Sequence, residues 1–120
     1  MPHPVDLKEK LALVTSLWDP RVVAALNDYH FKIARIEGEF VWHSHPDTDE
    51  AFLVIEGRLR LDFRDGAVEL EPGQLYVVPR GVEHRPVAEG PCGILMVEPA
   101  GTVNTGDAGG ERTRAADEWI

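Results

Sequence analysis

Apolar residues along 5–18 recur at helical spacing. Leu7, Leu11, Val14 and Trp18 fall on one stripe, with Leu17 beside it. Asp6 stands where an N-cap is wanted, and Glu9, three residues on, completes a capping box. Asp19-Pro20 then stops the segment, because the residue before proline avoids the helical region. Residues 21–27 (RVVAALN) fit either a short helical turn or an early strand. From Tyr29 the period drops to two: in YHFKIARI, Phe31 and Ile33 share one face while His30 and Lys32 share the other. Gly38 interrupts this run, and further strands are expected at 39–45, 51–56, 58–63, 67–70, 74–78 and 93–98. Gly57, Asp65-Gly66 and Pro72-Gly73 punctuate them as turns. Many short strands separated by glycine and proline predict an all-β sandwich or barrel with one N-terminal helix. Residues 100–114 (AGTVNTGDAGGERTR) show no period, and predict a surface extension ordered only by packing on the barrel or on a partner subunit.

Composition narrows the classes. The 120 residues suit one domain, and 43% of them are hydrophobic, enough for a core that a disordered chain lacks. A formal charge of -9, with basic residues interleaved among acids, disfavours nucleic acid as a partner. Cys92 is the sole cysteine, which excludes an internal disulfide and a cysteine-rich zinc cage. The start MPHPVDLKEK lacks the pattern of a signal peptide, and no apolar run approaches the ~20 residues that span a bilayer. The expectation is a soluble, cytoplasmic protein with no membrane partner.

The chemistry-bearing residues are few. His43 and His45 lie two apart on an expected strand, so alternation turns both imidazoles to one face. Glu50 follows the Pro46-Asp47-Thr48-Asp49 turn and can return to that face, whereas His84 needs the tertiary fold to arrive. Three imidazoles and a carboxylate suit one divalent first-row ion such as Fe, Mn, Ni, Zn, Co or Cu, with one or two positions left open. Glu50 shares parity with Phe52 and Val54, so these two either line the pocket around the ion or pack in the barrel core. Arg35, Lys32, Tyr76 and Arg85 are polar candidates for orienting an anionic substrate, although each is most simply a solvated strand residue or an edge charge. Trp42 falls opposite His43 and reads as packing, Trp18 as helix core and Trp119 as tail. His3 and His30 stand apart from the cluster, and Asp47 and Asp49 are turn residues. Nothing near Cys92 suggests an activated thiolate. With Ser16 and Ser44 the only serines, a serine nucleophile has almost no material.

Two stretches resemble the paired motifs of the cupin family. The first is Gly38, His43-x-His45, four residues, Glu50, six residues, Gly57; the second is Gly73, five residues, Pro79, one residue, Gly81, two residues, His84. Residues 58–72 separate them, as in minimal cupins. Two departures are visible: four residues rather than five follow Gly38, and Ala88 stands where the second motif usually closes with asparagine. The resemblance implies a cupin-like double-stranded β-helix, or jelly-roll barrel, with a short N-terminal helix. It divides the chain into an N-terminal helical segment (1–28), a barrel domain (29–99) and a C-terminal extension (100–120). It also implies a metal held by His43, His45, Glu50 and His84, a small-molecule ligand or substrate, and a homodimer. The function expected is a metal-dependent enzyme, dioxygenase-like or isomerase/cyclase-like, with Glu50 as its proton acceptor. The alternative is a non-catalytic small-molecule or sugar-binding module, since a fold alone does not specify a reaction.

Overall fold

Both faces of one sheet are buried, and that decides where each strand side chain goes. The computed structural model describes residues 2–120. One helix, α1 (Leu7–Ala12), precedes seven strands: β1 (Arg21–Leu26), β2 (Tyr29–Glu39), β3 (Glu50–Glu56), β4 (Leu59–Phe63), β5 (Gly66–Leu70), β6 (Leu75–Val78) and β7 (His84–Pro99). The central pairing order is β1-β2-β7-β3-β6, and β4 joins β5 to the early part of β7. Every pairing is antiparallel. The 16-residue β7 follows β2 along one edge, and pairs first with β4 and then with β3 along the other. This is the jelly-roll that the resemblance implies, within the all-β class that the strand pattern predicts.

The inner face packs Ala34, Ile36, Phe52, Val54, Ile94 and Met96 against Leu59, Leu61, Leu70 and Val78. The outer face of the same strands carries Ile33 and Val23, covered by Leu11 and Val14 of the N-terminal segment. Because both faces are apolar, the alternation in YHFKIARI distinguishes two interiors rather than inside from water. Lys32, expected to be solvated, therefore points into the barrel and is 1% exposed.

The helix is shorter than its periodicity predicts. Asp6 caps it, accepting from the Glu9 amide at 3.1 Å, but it ends at Ala12. Arg35 meets the chain there: its Nε donates to the carbonyls of Leu11 (3.1 Å) and Val14 (3.0 Å), the first of which also accepts from the Val14 amide (3.1 Å). Trp18 is accordingly not helix core. Its φ is 57°, its amide donates to Arg35 (2.8 Å), and its ring stacks on Phe40 at 4.7 Å. Tertiary contacts have overridden a weak local preference.

Three strand boundaries also differ. Residues 21–26, compatible with two states in the sequence, are a strand, closed onto β2 through Asn27 in the left-handed region. Gly38 does not end β2; it sits at an irregularity in the pairing with β7, and the strand runs on to Glu39. Residues 40–45 are then irregular apart from an isolated bridge between His43 and His84. The last strand begins at His84, well before the expected 93, so the ligand candidate opens the strand that organises the sheet.

Gly57 has no substitute. Its φ is +82°, and a Cβ there would lie 2.4 Å from the Pro91 carbonyl oxygen and 2.8 Å from Cys92 Cα, both backbone atoms. Gly57→Ala is expected to cost about 2–3 kcal/mol from backbone strain and overpacking together. Urea unfolding monitored by tryptophan fluorescence checks this; a midpoint within error of the parent would refute the close-approach argument.

Candidate metal centre

His43 and His84 are brought together by main chain before any side chain is considered. The His43 amide donates to the His84 carbonyl at 3.0 Å, and the His84 amide donates back at 2.9 Å. Each ring is then oriented in the same way: His43 Nδ1 lies 2.9 Å from the Val41 carbonyl, and His84 Nδ1 lies 2.9 Å from the Val82 carbonyl. A carbonyl can only accept, so Nδ1 carries the proton in both rings and Nε2 keeps its lone pair. This is the support that metal-ligating imidazoles commonly have.

Glu50 enters at the start of β3, opposite Val78 of β6. Its Oε1 lies 3.3 Å from His45 Nε2 and 3.4 Å from His84 Nε2. None of these three atoms has a hydrogen-bond partner, although all are buried. Unpartnered buried polar atoms are costly and rare. One ligand atom from each of His43, His45, Glu50 and His84 falls within 4.8 Å of all the others, so the four could hold one metal ion. Bonds of ~2.1 Å put neighbouring ligand atoms roughly 3.0–3.4 Å apart, which matches the contacts to Glu50.

The loops around the cluster are pinned from two sides. Asp49 accepts from the Arg80 amide at 2.8 Å, and the Gly81 amide donates to the His45 carbonyl at 2.9 Å, joining the two motif segments. Asp107 reaches back from the C-terminal extension. Its carboxylate accepts from the Ser44 amide (2.7 Å) and the Ser44 hydroxyl (3.0 Å). Gly106 allows this approach: its φ is +52°, and a Cβ there would meet the Ser44 carbonyl oxygen at 2.3 Å.

Two spaces adjoin the cluster. An inner chamber of about 30 Å³ is bounded by His43, Glu50, Phe52, Met96 and Glu98, with Trp18 at its wall. A groove of about 400 Å³ lies over His45, between Pro46–Thr48 and Pro99–Val103.

Electrostatically, the His43 imidazole is pushed down from its ordinary 6.5 to about 4, first by burial and then by the charge His84 can carry. Burial pushes the Glu50 carboxyl up, but contacts from Glu98, His45 and His84 outweigh it and hold the group well below its usual range. Glu98 is pushed well above its usual range by burial and by Glu50 beside it. Burial likewise raises Cys92 to about 11, in keeping with an unactivated thiol.

The other sequence candidates go elsewhere. Arg35 serves the helix end and approaches Glu56 (3.6 Å); Arg85 pairs with Asp62 (2.9 Å) and Glu39 (3.2 Å). Tyr76 packs on Phe63 at 5.8 Å beside the inner core. The guanidinium of Arg64 stacks over Trp42 at 3.8 Å. His30 lies 3.3 Å from Asp117, away from the ligands. Sequence reasoning missed Glu98 and Asp107. Glu98 had a signal: it continues the inward parity of Ile94 and Met96 and places a charge where the run is apolar. Asp107 had none, because its partner Ser44 lies 63 residues away.

The sequence model of the Cupin_2 family, described as "Cupin domain", matches residues 29–98. The chain is similar to the uncharacterized protein YdbB of Bacillus subtilis (strain 168), 39% identical over 64 residues; these are 52% of this chain and 57% of that protein, so the chain spans little more than half of it. A cupin-2 domain containing protein from Shewanella frigidimarina NCIMB 400 is 49% identical over 79% of this chain and 93% of that one, with a TM-score of 0.78. Hydroquinone 1,2-dioxygenase from Sphingomonas sp. TTNP3 is 21% identical over 79% of this chain and 74% of that one, with a TM-score of 0.66, a likeness of fold alone.

The low position of His43 has a consequence for the metal-free protein. Between about pH 6.5 and 4 the unfolded chain takes up a proton that folded His43 refuses, so this contribution to stability is lost as pH falls through that window. The midpoint of thermal unfolding, measured in chelator from pH 7 to 4, is expected to fall, and to fall less in His43→Phe. Parallel declines in the two proteins would refute the assignment.

Proposed function

This chain belongs to the cupin family, and from that premise we propose that it is a metal-dependent enzyme acting on a small organic molecule. His43, His45, Glu50 and His84 are the ligands of one divalent transition ion in this reading. The observation that carries it is the convergence of Glu50 Oε1 with His45 Nε2 and His84 Nε2, all buried and none with a hydrogen-bond partner. A cation answers all three at once, and neutral imidazoles facing an ionised carboxylate are the forms that bind metal. The ion itself would supply Lewis-acid polarisation and a template on which reactants meet.

The chain's own residues divide the remaining work. Val41 and Val82 fix the rings of His43 and His84 through their Nδ1 protons. Glu50 is the group we assign to accept a proton from the bound molecule at Oε1. The groove over His45 has the volume for a small organic molecule. The chamber walled by Trp18, Phe52 and Met96 meets the cluster at His43 and Glu50 and is lined mainly by apolar side chains. Oxygenation is the most concrete version of this reading, and isomerisation or cyclisation by the same Lewis-acid route is equally compatible with the ligands. One observation favours the non-catalytic alternative: the four ligand candidates are 0–6% exposed, so a binding module with an occupied, closed centre is the second reading.

Homodimerisation and a cytoplasmic location accompany this proposal. No described helix is long and apolar enough to cross a membrane. Leu75 and Val77 are 60% and 46% exposed on β6, at one end of the strand order, and a second copy would cover them. Light scattering is expected to give twice the chain mass for the parent and a lower mass for Leu75→Lys/Val77→Lys; a monomeric parent refutes this part.

The central experiment is elemental analysis of untagged protein beside a His43→Ala/His84→Ala variant. About one ion per chain, lost in the variant, is expected. Oxygen uptake by the loaded protein against small hydroxylated aromatics then separates the two readings: uptake abolished in Glu50→Gln supports the enzyme, and metal without uptake supports the module. A folded protein that binds no metal even after reconstitution overturns both.

A further inference from the structure

Among apolar neighbours, the inner face of the sheet carries one buried ion pair. Lys32 Nζ lies 3.1 Å from Glu98 Oε1, both side chains are 2% exposed, and Nζ also donates to the Thr102 carbonyl at 3.1 Å. Ala34, Ile36, Phe52, Val54, Ile94 and Met96 fill the equivalent inward positions. Desolvating two charges there is expensive, and apolar residues of similar volume would serve stability as well or better. The pair is therefore poorly explained by packing.

Its position explains it better. In the ladder between β3 and β7, Ala51 pairs with Val97 and Phe52 with Met96. Continuing that register by one residue sets Glu50 directly opposite Glu98, on the inner face. Two carboxyl groups directly opposite one another on a sheet are tolerated when a cation or a proton separates their charges. Lys32 engages Oε1 of Glu98, while Glu98 Oε2 remains buried with no partner. Glu98 bounds the inner chamber together with Glu50 and His43.

We propose that the Lys32–Glu98 pair positions Glu50, holding its carboxylate from the side so that Oε1 is presented to His45 and His84. The inference rests on the metal-centre reading and extends it from the four ligands to the group behind one of them. Glu98 is held by Lys32, which the Thr102 carbonyl anchors in turn, and Glu50, facing it, is confined to the rotamer that points into the cluster. Neither Lys32 nor Glu98 is a ligand in this account, and both are positioning residues.

Two variants test it, with Co²⁺ as the probe. Glu98→Gln keeps the shape and replaces the carboxyl group that faces Lys32 and Glu50. Lys32→Met/Glu98→Leu removes one positive and one negative charge together, so its effect on binding reports orientation rather than net charge. Titration calorimetry is expected to show Co²⁺ affinity falling by about 10-fold or more in both, the scale on which outer supports of metal ligands act. The visible absorption bands of bound Co²⁺ should shift in both, while the double variant unfolds at or above the parent temperature. Parental affinity and bands in either folded variant overturn the proposal, even if thermal stability drops, because a merely structural pair would move stability alone. Failure of both variants to fold also overturns it, since the pair would then be needed for stability. If the parent binds no Co²⁺, the metal-centre reading falls and this inference with it.

Discussion

The reciprocal main-chain bonds between His43 and His84 are the contact on which the rest of the molecule turns. They join two segments that lie 41 residues apart in the chain and belong to no common strand pair. Once they form, β7 must start at His84, and its 16 residues then lie along β2 on one side and along β4 and β3 on the other. Such pairing over long sequence separations is entropically expensive, and backbone bonds that recur along a whole strand offset it better than isolated side-chain contacts. The metal candidates inherit their placement from this frame. His84 is the first residue of β7, Glu50 the first of β3, and His43 sits on the bridge itself.

A second constraint follows from the barrel interior. Its walls are aliphatic and aromatic, so every polar group inside needs an internal partner. His43 and His84 spend one ring nitrogen each on a carbonyl and keep the other for the centre. Lys32, Glu98 and Glu50 form a row of charge crossing three strands, alternately basic and acidic at one end and unpaired at the other. The unpaired end is where the imidazole nitrogens converge. The fold has concentrated its unsatisfied polarity at one point, the arrangement expected where a cation completes the interior rather than decorates it.

The C-terminal extension belongs to this architecture more closely than its composition suggests. Thr105 is fully buried, Asp107 is bonded to Ser44 between two ligand candidates, and Trp119 bridges to Val22 of β1. Asp117 approaches His30 on the inner edge of β2. A glycine-rich segment without period has thus been fixed by a few side-chain acceptors seated on backbone amides. Its polarity in sequence and its order in structure are compatible, because its polar groups find partners in Ser44, in β1 and within the extension itself.

By itself, the sequence determined the strand count within one and the turns. The grouping of His84 with His43, His45 and Glu50 came from the resemblance to the paired cupin motifs, because spacing alone joins only the two histidines of one strand. Period-two alternation and glycine spacing are local properties, so they survive without knowledge of partners. The same parity placed Phe52 at the pocket beside Glu50, whereas Val54, which shares it, packs in the core. It could not decide the length of the helix, because Arg35, a residue of another element, meets the chain at its end. Nor could it decide whether Lys32 meets water, since alternation separates two faces without saying that both are covered. The Glu50–Glu98 juxtaposition and the Asp107 latch were likewise beyond it: each depends on register and on loop closure between segments at least 48 residues apart. Only the tertiary structure sets those, because side-chain chemistry at one position carries no record of which distant residue will stand opposite.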